Sequence, residues 1–378
     1  MNRLLLLAAA LAAMLLPGCA SSTTRTGLNG YLLAIGGGLD DDNAPVYEQF
    51  VRRARAASER NRMPLCIVIA TAASGDQDAN ITGKTQSIRT YAPDAKVEAI
   101  RRETPTAETV AIIDRASAIF FTGGDQKRIT TRYRPNDTNG PEMAAMRRLL
   151  DRGGVIAGTS AGDAMMGPVM FHTARSAEAL GIRSTRAAPA ADDDPDERRE
   201  ELPLGPQIGP GMNLLPWAMT DSHFFERDRF GRLVAALELS GTRLGVGVGE
   251  DAAVEVDLAT GVLTGVSVAD SLLVDVGAIG RDGLVRRGVR ARVIRQGTRH
   301  VLPDLLRSPP HARPRVGEGD FEEVRIVEPG QNRQLASWRF FRRAEELGCP
   351  GIELELDGYK QTAWPDGRGW SVVEISPR

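Results

Sequence analysis

Val155-Ile156-Ala157-Gly158-Thr159-Ser160-Ala161-Gly162 runs from a short apolar strand into a glycine-flanked turn and on toward a helix. A serine in G-x-S-x-G at such a junction sits on a sharp turn, where its Oγ is exposed and the next backbone N–H can face an oxyanion. Small residues also serve strand-to-helix packing, so the pattern by itself leaves a structural reading open. Its surroundings decide the fold. Residues 31–35, 64–70, 97–100 and 118–122 are similar β-rich apolar runs, and amphipathic stretches such as 46–60 and 141–152 separate them. Near-continuous apolar strands between helices predict a parallel sheet covered on both faces, a doubly wound α/β sandwich. Gly36-Gly37-Gly38, Gly123-Gly124 and Gly158 to Gly162 close three of the strands. Ligands of open α/β sheets bind beyond the carboxyl ends of strands, so these turns line one predicted cleft.

The whole chain has 378 residues, 42% hydrophobic and 25% charged, which suits a large globular domain with an addition and argues against general disorder. Its formal charge of −2 gives no overall basic character of the kind nucleic-acid binding draws on. At the N-terminus, Asn2-Arg3 precedes an apolar Leu/Ala run over 4–16 and then Pro17-Gly18-Cys19. Thirteen residues at ~1.5 Å each are too few to cross ~30 Å of hydrocarbon, so the run reads as a signal h-region. Leu16-Pro17-Gly18-Cys19 resembles a bacterial lipobox, with Cys19 the lipidation site and the first mature residue. This implies an exported lipoprotein in the periplasm or at the cell surface, with outer-membrane anchoring favoured. Of the cysteines that remain, Cys66 lies in an apolar run where a buried thiol is natural, and pairing with Cys349 stays open. Cys/His spacing for a metal is missing from the sequence.

A serine nucleophile needs a base. The chain offers His172, His223, His300 and His311. His223 stands out in Asp221-Ser222-His223-Phe224-Phe225, directly after an apolar stretch, whereas His300 and His311 fall in an arginine-rich ribbon. The base in turn needs an acid to orient it, and Gly245-Val246-Gly247-Val248-Gly249-Glu250-Asp251 places carboxylates at a strand end, Glu250 first and Asp251 in reserve.

Taken in order, Phe121-Thr122-Gly123-Gly124-Asp125-Gln126, the Ser160 turn, Asp221-x-His223-Phe224 with Arg227, Arg229 and Arg232, and 245–250 resemble the blocks of the cyanophycinase group in peptidase family S51. The resemblance spans about 28–275. It implies a fold similar to class I glutamine amidotransferases, with Ser160 as nucleophile, His223 as base and Glu250 as third member. It further implies an oxyanion hole from the Gly124 and Ala161 N–H groups, with Gln126, Arg227, Arg229 and Arg232 binding substrate carboxylates. The family includes exopeptidases that cut the β-Asp-Arg polymer cyanophycin and dipeptidases for N-terminal aspartate. Three positions depart from the pattern, namely Asp163, Ser222 and Gly249, and they bear on the substrate more than on the hydrolytic chemistry.

The expected organisation is a signal peptide over 1–18, a tether over 19–27, a catalytic domain over 28–275, an arginine-rich β extension over 276–315 lying as a solvated edge, and a small C-terminal α+β appendage over 316–378. The expected substrate is a small aspartyl or β-aspartyl peptide, or a cyanophycin-like polymer, cleaved through an acyl-enzyme. No cofactor, metal or nucleic acid is implied, and a homodimer is left open. Two rivals are an α/β-hydrolase-type esterase using His300 or His311, and a non-catalytic surface lipoprotein that keeps the fold for binding.

Overall fold

A computed structural model describes residues 27–173, 175–182, 204–309, 322–324, 333–346, 351–356 and 359–377. Cys19 with the whole export segment, the acidic stretch of sequence within 187–201, His311 and Cys349 lie outside the described residues.

The five apolar runs form parallel strands β1 (Tyr31–Ile35), β2 (Cys66–Ala70), β3 (Lys96–Ile100), β4 (Ala118–Phe121) and β5 (Val155–Thr159), in the order β1-β5-β4-β2-β3. Helices α1 (Ala44–Asn61), α2 (Gln77–Tyr91), α3 (Thr106–Arg115), α4 (Gln126–Tyr133) and α5 (Pro141–Asp151) connect or follow them. Local signals set the ends of α1, where the Asn43 side chain accepts from the Val46 N–H and Arg62 turns left-handed. Alternation along each strand divides the side chains between two cores. Leu32 and Ala34 join one cluster with Ile113, Met146 and Leu149, while Leu33 and Ile35 join Val46, Phe50 and Ile88 on the opposite face. Both faces are therefore apolar, as a parallel sheet requires. On the far side of β1 the sheet continues with antiparallel strands Ala253–Asp257, Val262–Gly265 and Arg299–Val301.

A second sheet shares the first cluster through Leu244, Val246, Leu273 and Ile294. Its central path runs Ser371–Pro377, Val285–Ile294, Ser271–Asp275, Leu244–Val248 and Ala218–Asp221. Apart from the parallel pairs Ala218–Asp221 with Leu244–Val248 and Glu322–Val324 with Ile352–Leu356, it is antiparallel. The fold is thus the expected α/β sandwich, with parallel order concentrated in β1 to β5.

Two expectations about the C-terminal third are corrected. The arginine-rich stretch is no solvated edge ribbon, because Val285–Ile294 lies inside the second sheet. One face buries Val289, Ala291 and Val293. Arg286 pairs with Glu238 at 2.9 Å, and Arg290 with Asp275 at 3.4 Å. Buried guanidiniums need such carboxylates, and the run of arginines hid the apolar alternation between them. The tail, expected as an appendage, extends the same sheet with strands Ile352–Leu356, Tyr359–Pro365 and Ser371–Pro377. Its helix Arg333–Ala344 places Phe340 and Phe341 in the core beneath, together with Phe225 and Phe230.

Candidate active site

Both sheets contribute to the site. β1, β5 and β4 are neighbours and end side by side at Gly36, Ser160 and Gly123. In the second sheet the parallel neighbours Ala218–Asp221 and Leu244–Val248 end at His223 and Glu250, with Asp221 in register with Gly247. Three backbone hydrogen bonds join the two edges. The His223 N–H donates to the Gly36 carbonyl at 2.6 Å, the Asp251 N–H to Gly37 at 2.9 Å, and the Gly36 N–H to Ala252 at 3.1 Å.

Ser160 has φ 53° and ψ −110°, in a region that L-residues rarely occupy, while its N–H is held by the Ile35 carbonyl at 2.9 Å. Such strain persists only where surrounding structure over-determines it. At Gly158 a Cβ would approach the Gly162 carbonyl oxygen to 2.1 Å, so glycine there lets strand and turn close. Gly37, at φ +100°, would place a Cβ 2.2 Å from His223 Cε1, and its bare backbone makes room for the imidazole.

Ser160 Oγ lies 2.8 Å from His223 Nε2, and His223 Nδ1 lies 2.7 Å from Glu250 Oε1. An ionised carboxylate only accepts, so Nδ1 carries the proton and Nε2 is left to accept from the serine hydroxyl. Burial holds the imidazole below its ordinary pKa, against the Glu250 hydrogen bond and with help from the charges of Arg227 and Arg229. Glu250 is held low chiefly by its bond to His223. The relay at neutral pH is hydroxyl, neutral imidazole, carboxylate, which can take a proton from Oγ. Asp251, the reserve acid, is committed elsewhere: its carboxylate accepts from Asn43 Nδ2 at 2.7 Å and the Asp40 N–H at 3.1 Å.

The remaining expected residues separate. Gly124, at φ +130°, is exposed, and Ala161 follows the serine directly. Among the described residues neither backbone N–H donates to a protein acceptor. Gln126 is half-buried and donates from Nε2 to the Phe171 carbonyl at 2.8 Å. Arg227 is half-buried and its charge acts on both His223 and Glu250.

Arg229 and Arg232 are buried against Asp221 instead of facing a substrate. Arg232 grips both carboxylate oxygens, at 2.8 and 2.6 Å, and Arg229 approaches at 3.4 Å while donating to the Ser222 carbonyl at 2.9 Å. Asp221 is fully buried, so its charge requires these partners. The helix that follows begins only at Phe230, which leaves Arg227 and Arg229 in the preceding turns. His300, the rival base, pairs with Leu263 at the far edge of the first sheet and does not meet Ser160.

Sequence reading missed two contributors. Asp221 stood inside the histidine block without an assigned partner, and burial alone identifies it as the counter-ion. Tyr359, from the tail, donates its hydroxyl to Asp228 at 2.9 Å, and Phe341 packs on Phe225 and Phe230. The tail thereby braces the turn that presents His223, a link between residues 131 apart that spacing cannot reveal.

Fold and site together define an α/β protein with a serine–imidazole–carboxylate relay on the carboxyl edge of a parallel sheet. Residues 32–261 match the model of peptidase family S51, and the chain belongs to that family. It is similar to a cyanophycinase of Nostoc sp., with 32% identity over 153 residues, which cover 40% of this chain and 43% of the relative. A cyanophycinase of Synechococcus elongatus is 27% identical over 240 residues, covering 61% and 64%. The chain therefore spans less than two thirds of the length of these relatives. Among solved structures, a peptidase from an acI-B1 actinobacterium aligns with 17% identity and a TM-score of 0.48, covering 73% of this chain and 98% of that one.

Proposed function

We propose that this chain is a serine exopeptidase that hydrolyses aspartyl or β-aspartyl bonds, in small peptides or in a cyanophycin-like polymer. The carrying observation is the continuous relay of 2.8 and 2.7 Å from Ser160 through His223 to Glu250. His223 takes the Oγ proton as Ser160 attacks the scissile carbonyl. The oxyanion is held by the N–H groups of Gly124 and Ala161. The protonated imidazole then gives its proton to the leaving amine, and water, activated by the same base, releases the acyl group. Glu250 keeps the proton on Nδ1 throughout. Of the three arginines, Arg227 lies beside the relay and is assigned the substrate carboxylate, through the paired hydrogen bonds a guanidinium offers. Similarity to the cyanophycinases supports the aspartyl preference. The lipobox-like Cys19 supports action as an exported, lipid-tethered enzyme, for which Cys19→Ser should release the protein from membranes.

The test is mass spectrometry of products from α- and β-aspartyl peptides and cyanophycin. Ser160→Ala and His223→Ala should each lose roughly four decades of rate while folding normally. Release of terminal aspartyl units by the native enzyme supports the proposal. Equal turnover by Ser160→Ala, or indifference to aspartate in the substrate, overturns it.

A further inference from the structure

The tail reaches the acid of the relay as well as its base. Ser271, the first residue of the strand Ser271–Asp275, pairs with Val248, so the antiparallel register sets Asp270 opposite Gly249, the residue before Glu250. The approach there is close. A Cβ on Gly249 would come within 2.9 Å of the Asp270 carbonyl oxygen and 3.1 Å of Phe225 Cδ2. Position 249 is one of the departures from the family pattern, and glycine there is what lets the Asp270 backbone lie against it. The same loop is fastened on the other side of Glu250. Ser267 Oγ donates to the Asp251 carbonyl at 2.8 Å, and the Val266 N–H donates to the Ala253 carbonyl at 2.9 Å.

The Asp270 carboxylate is taken by the tail. Its Oδ2 accepts from Trp338 Nε1 at 2.7 Å and from Arg342 Nη1 at 2.9 Å, both on the helix Arg333–Ala344. The side chain is 6% exposed, so these bonds form largely out of water, and losing them would leave a buried charge without partners. Asp270, Trp338 and Arg342 all lie beyond residues 32–261, which match the family model. The Glu250 side chain, by contrast, is 35% exposed where it meets His223. The backbone on either side of Glu250, more than enclosure, therefore fixes where its carboxylate stands.

We propose that Asp270 is a positioning residue for the serine relay: anchored by Trp338 and Arg342, it fixes the turn Gly249-Glu250-Asp251 and with it the bond from Glu250 to His223. The inference rests on the reading of Ser160, His223 and Glu250 as a relay. Asp270 touches no reacting group and acts through the backbone. A displaced Glu250 would leave the imidazole free to take other tautomers and orientations, which slows proton transfer while leaving binding largely intact. The C-terminal helix thereby serves catalysis as well as the packing of the second sheet.

The experiment uses the full chain and a fluorophosphonate, which reacts with a relay-activated serine whatever the peptide substrate. Asp270→Ala should lower the maximal rate of Ser160 labelling about ten-fold or more, with the half-saturating probe concentration unchanged. In the same variant the low-field proton resonance of the His223 Nδ1–H bond should weaken or move upfield. Asp270→Asn keeps an oxygen for one of the two donors and should recover much of both. Trp338→Phe keeps a ring but removes one anchor, and should lower labelling about two- to five-fold. The control is Glu353→Ala, which removes the 3.0 Å pair with Lys360 elsewhere in the tail and should lower the melting temperature without changing labelling or the resonance. Native labelling and a native resonance in Asp270→Ala, or in Trp338→Phe if the alanine variant does not fold, overturn the proposal. So does an equal labelling loss in Glu353→Ala, which would make general stability of the tail the cause. A native protein that neither labels at Ser160 nor shows the resonance would instead remove the relay on which the inference rests.

Discussion

Asp163→Ala should make the protein more stable at neutral and alkaline pH. Asp163 sits three residues after Ser160, fully buried, and both its carboxyl oxygens lack a hydrogen-bond partner among the described residues. The nearby Thr220 hydroxyl donates at 2.6 Å to the Asp163 main-chain carbonyl. Burial pushes the Asp163 pKa well up against the pull of the nearby Thr220 hydroxyl; the negative charge of Asp221 adds to the rise, and Arg229 opposes it. A carboxyl whose folded pKa is raised keeps a proton that the unfolded chain gives up. Its contribution to stability is therefore whole below the unfolded value of ~3.9 and is lost as pH rises through the folded value. Leaving such a group buried and unpaired costs about 1–3 kcal/mol, while truncation to alanine removes packing worth about 1 kcal/mol. Asp163→Ala should thus gain up to about 2 kcal/mol at pH ~8, and its advantage should shrink toward pH ~4. Urea unfolding followed by circular dichroism across that range measures both effects. A variant less stable than the native protein by more than ~1 kcal/mol at every pH would show Asp163 to be ionised and paired, and would refute the reasoning.

Two further outcomes follow from the same neighbourhood. His223 must be neutral to accept a proton and its pKa is lowered, so kcat/KM should stay flat through neutral pH and fall only on an acid limb below ~6.5; Arg227→Gln should move that limb upward, and a limb that stays put would remove Arg227 from the site's electrostatics. Arg232→Lys should lower stability by about 1–3 kcal/mol, because an ammonium cannot reproduce the two-point grip on buried Asp221. Adding Asp221→Asn to it should cost less than the sum of the single changes. A loss confined to kcat/KM with unchanged melting would instead return Arg232 to the substrate.

The sequence determined what is local and periodic. Five apolar runs of strand length, punctuated by glycines, specified the parallel sheet and its carboxyl edge. A serine in a tight strand-to-helix turn can face only outward, so Ser160 was legible from five residues. His223 and Glu250 were legible because each follows an apolar strand within a block of recognisable spacing. Tertiary structure decided what depends on burial and on distant partners. Packing showed why the reserve carboxylate Asp251 is not available to the imidazole, since Asn43 and Asp40 take it while Glu250 reaches His223. Only burial showed that Arg229 and Arg232 neutralise Asp221, because the same arginine spacing serves a solvated face, a substrate clamp or an ion pair. The arginine-rich strand was read as a solvated edge because charged residues alternating with apolar ones look like an edge until carboxylates from elsewhere, Glu238 and Asp275, come to meet them, and the tail's docking onto the same sheet was read as a separate appendage. Tyr359 reaches Asp228 only once the second sheet has assembled, so the brace behind His223 is a property of the fold and of no segment within it.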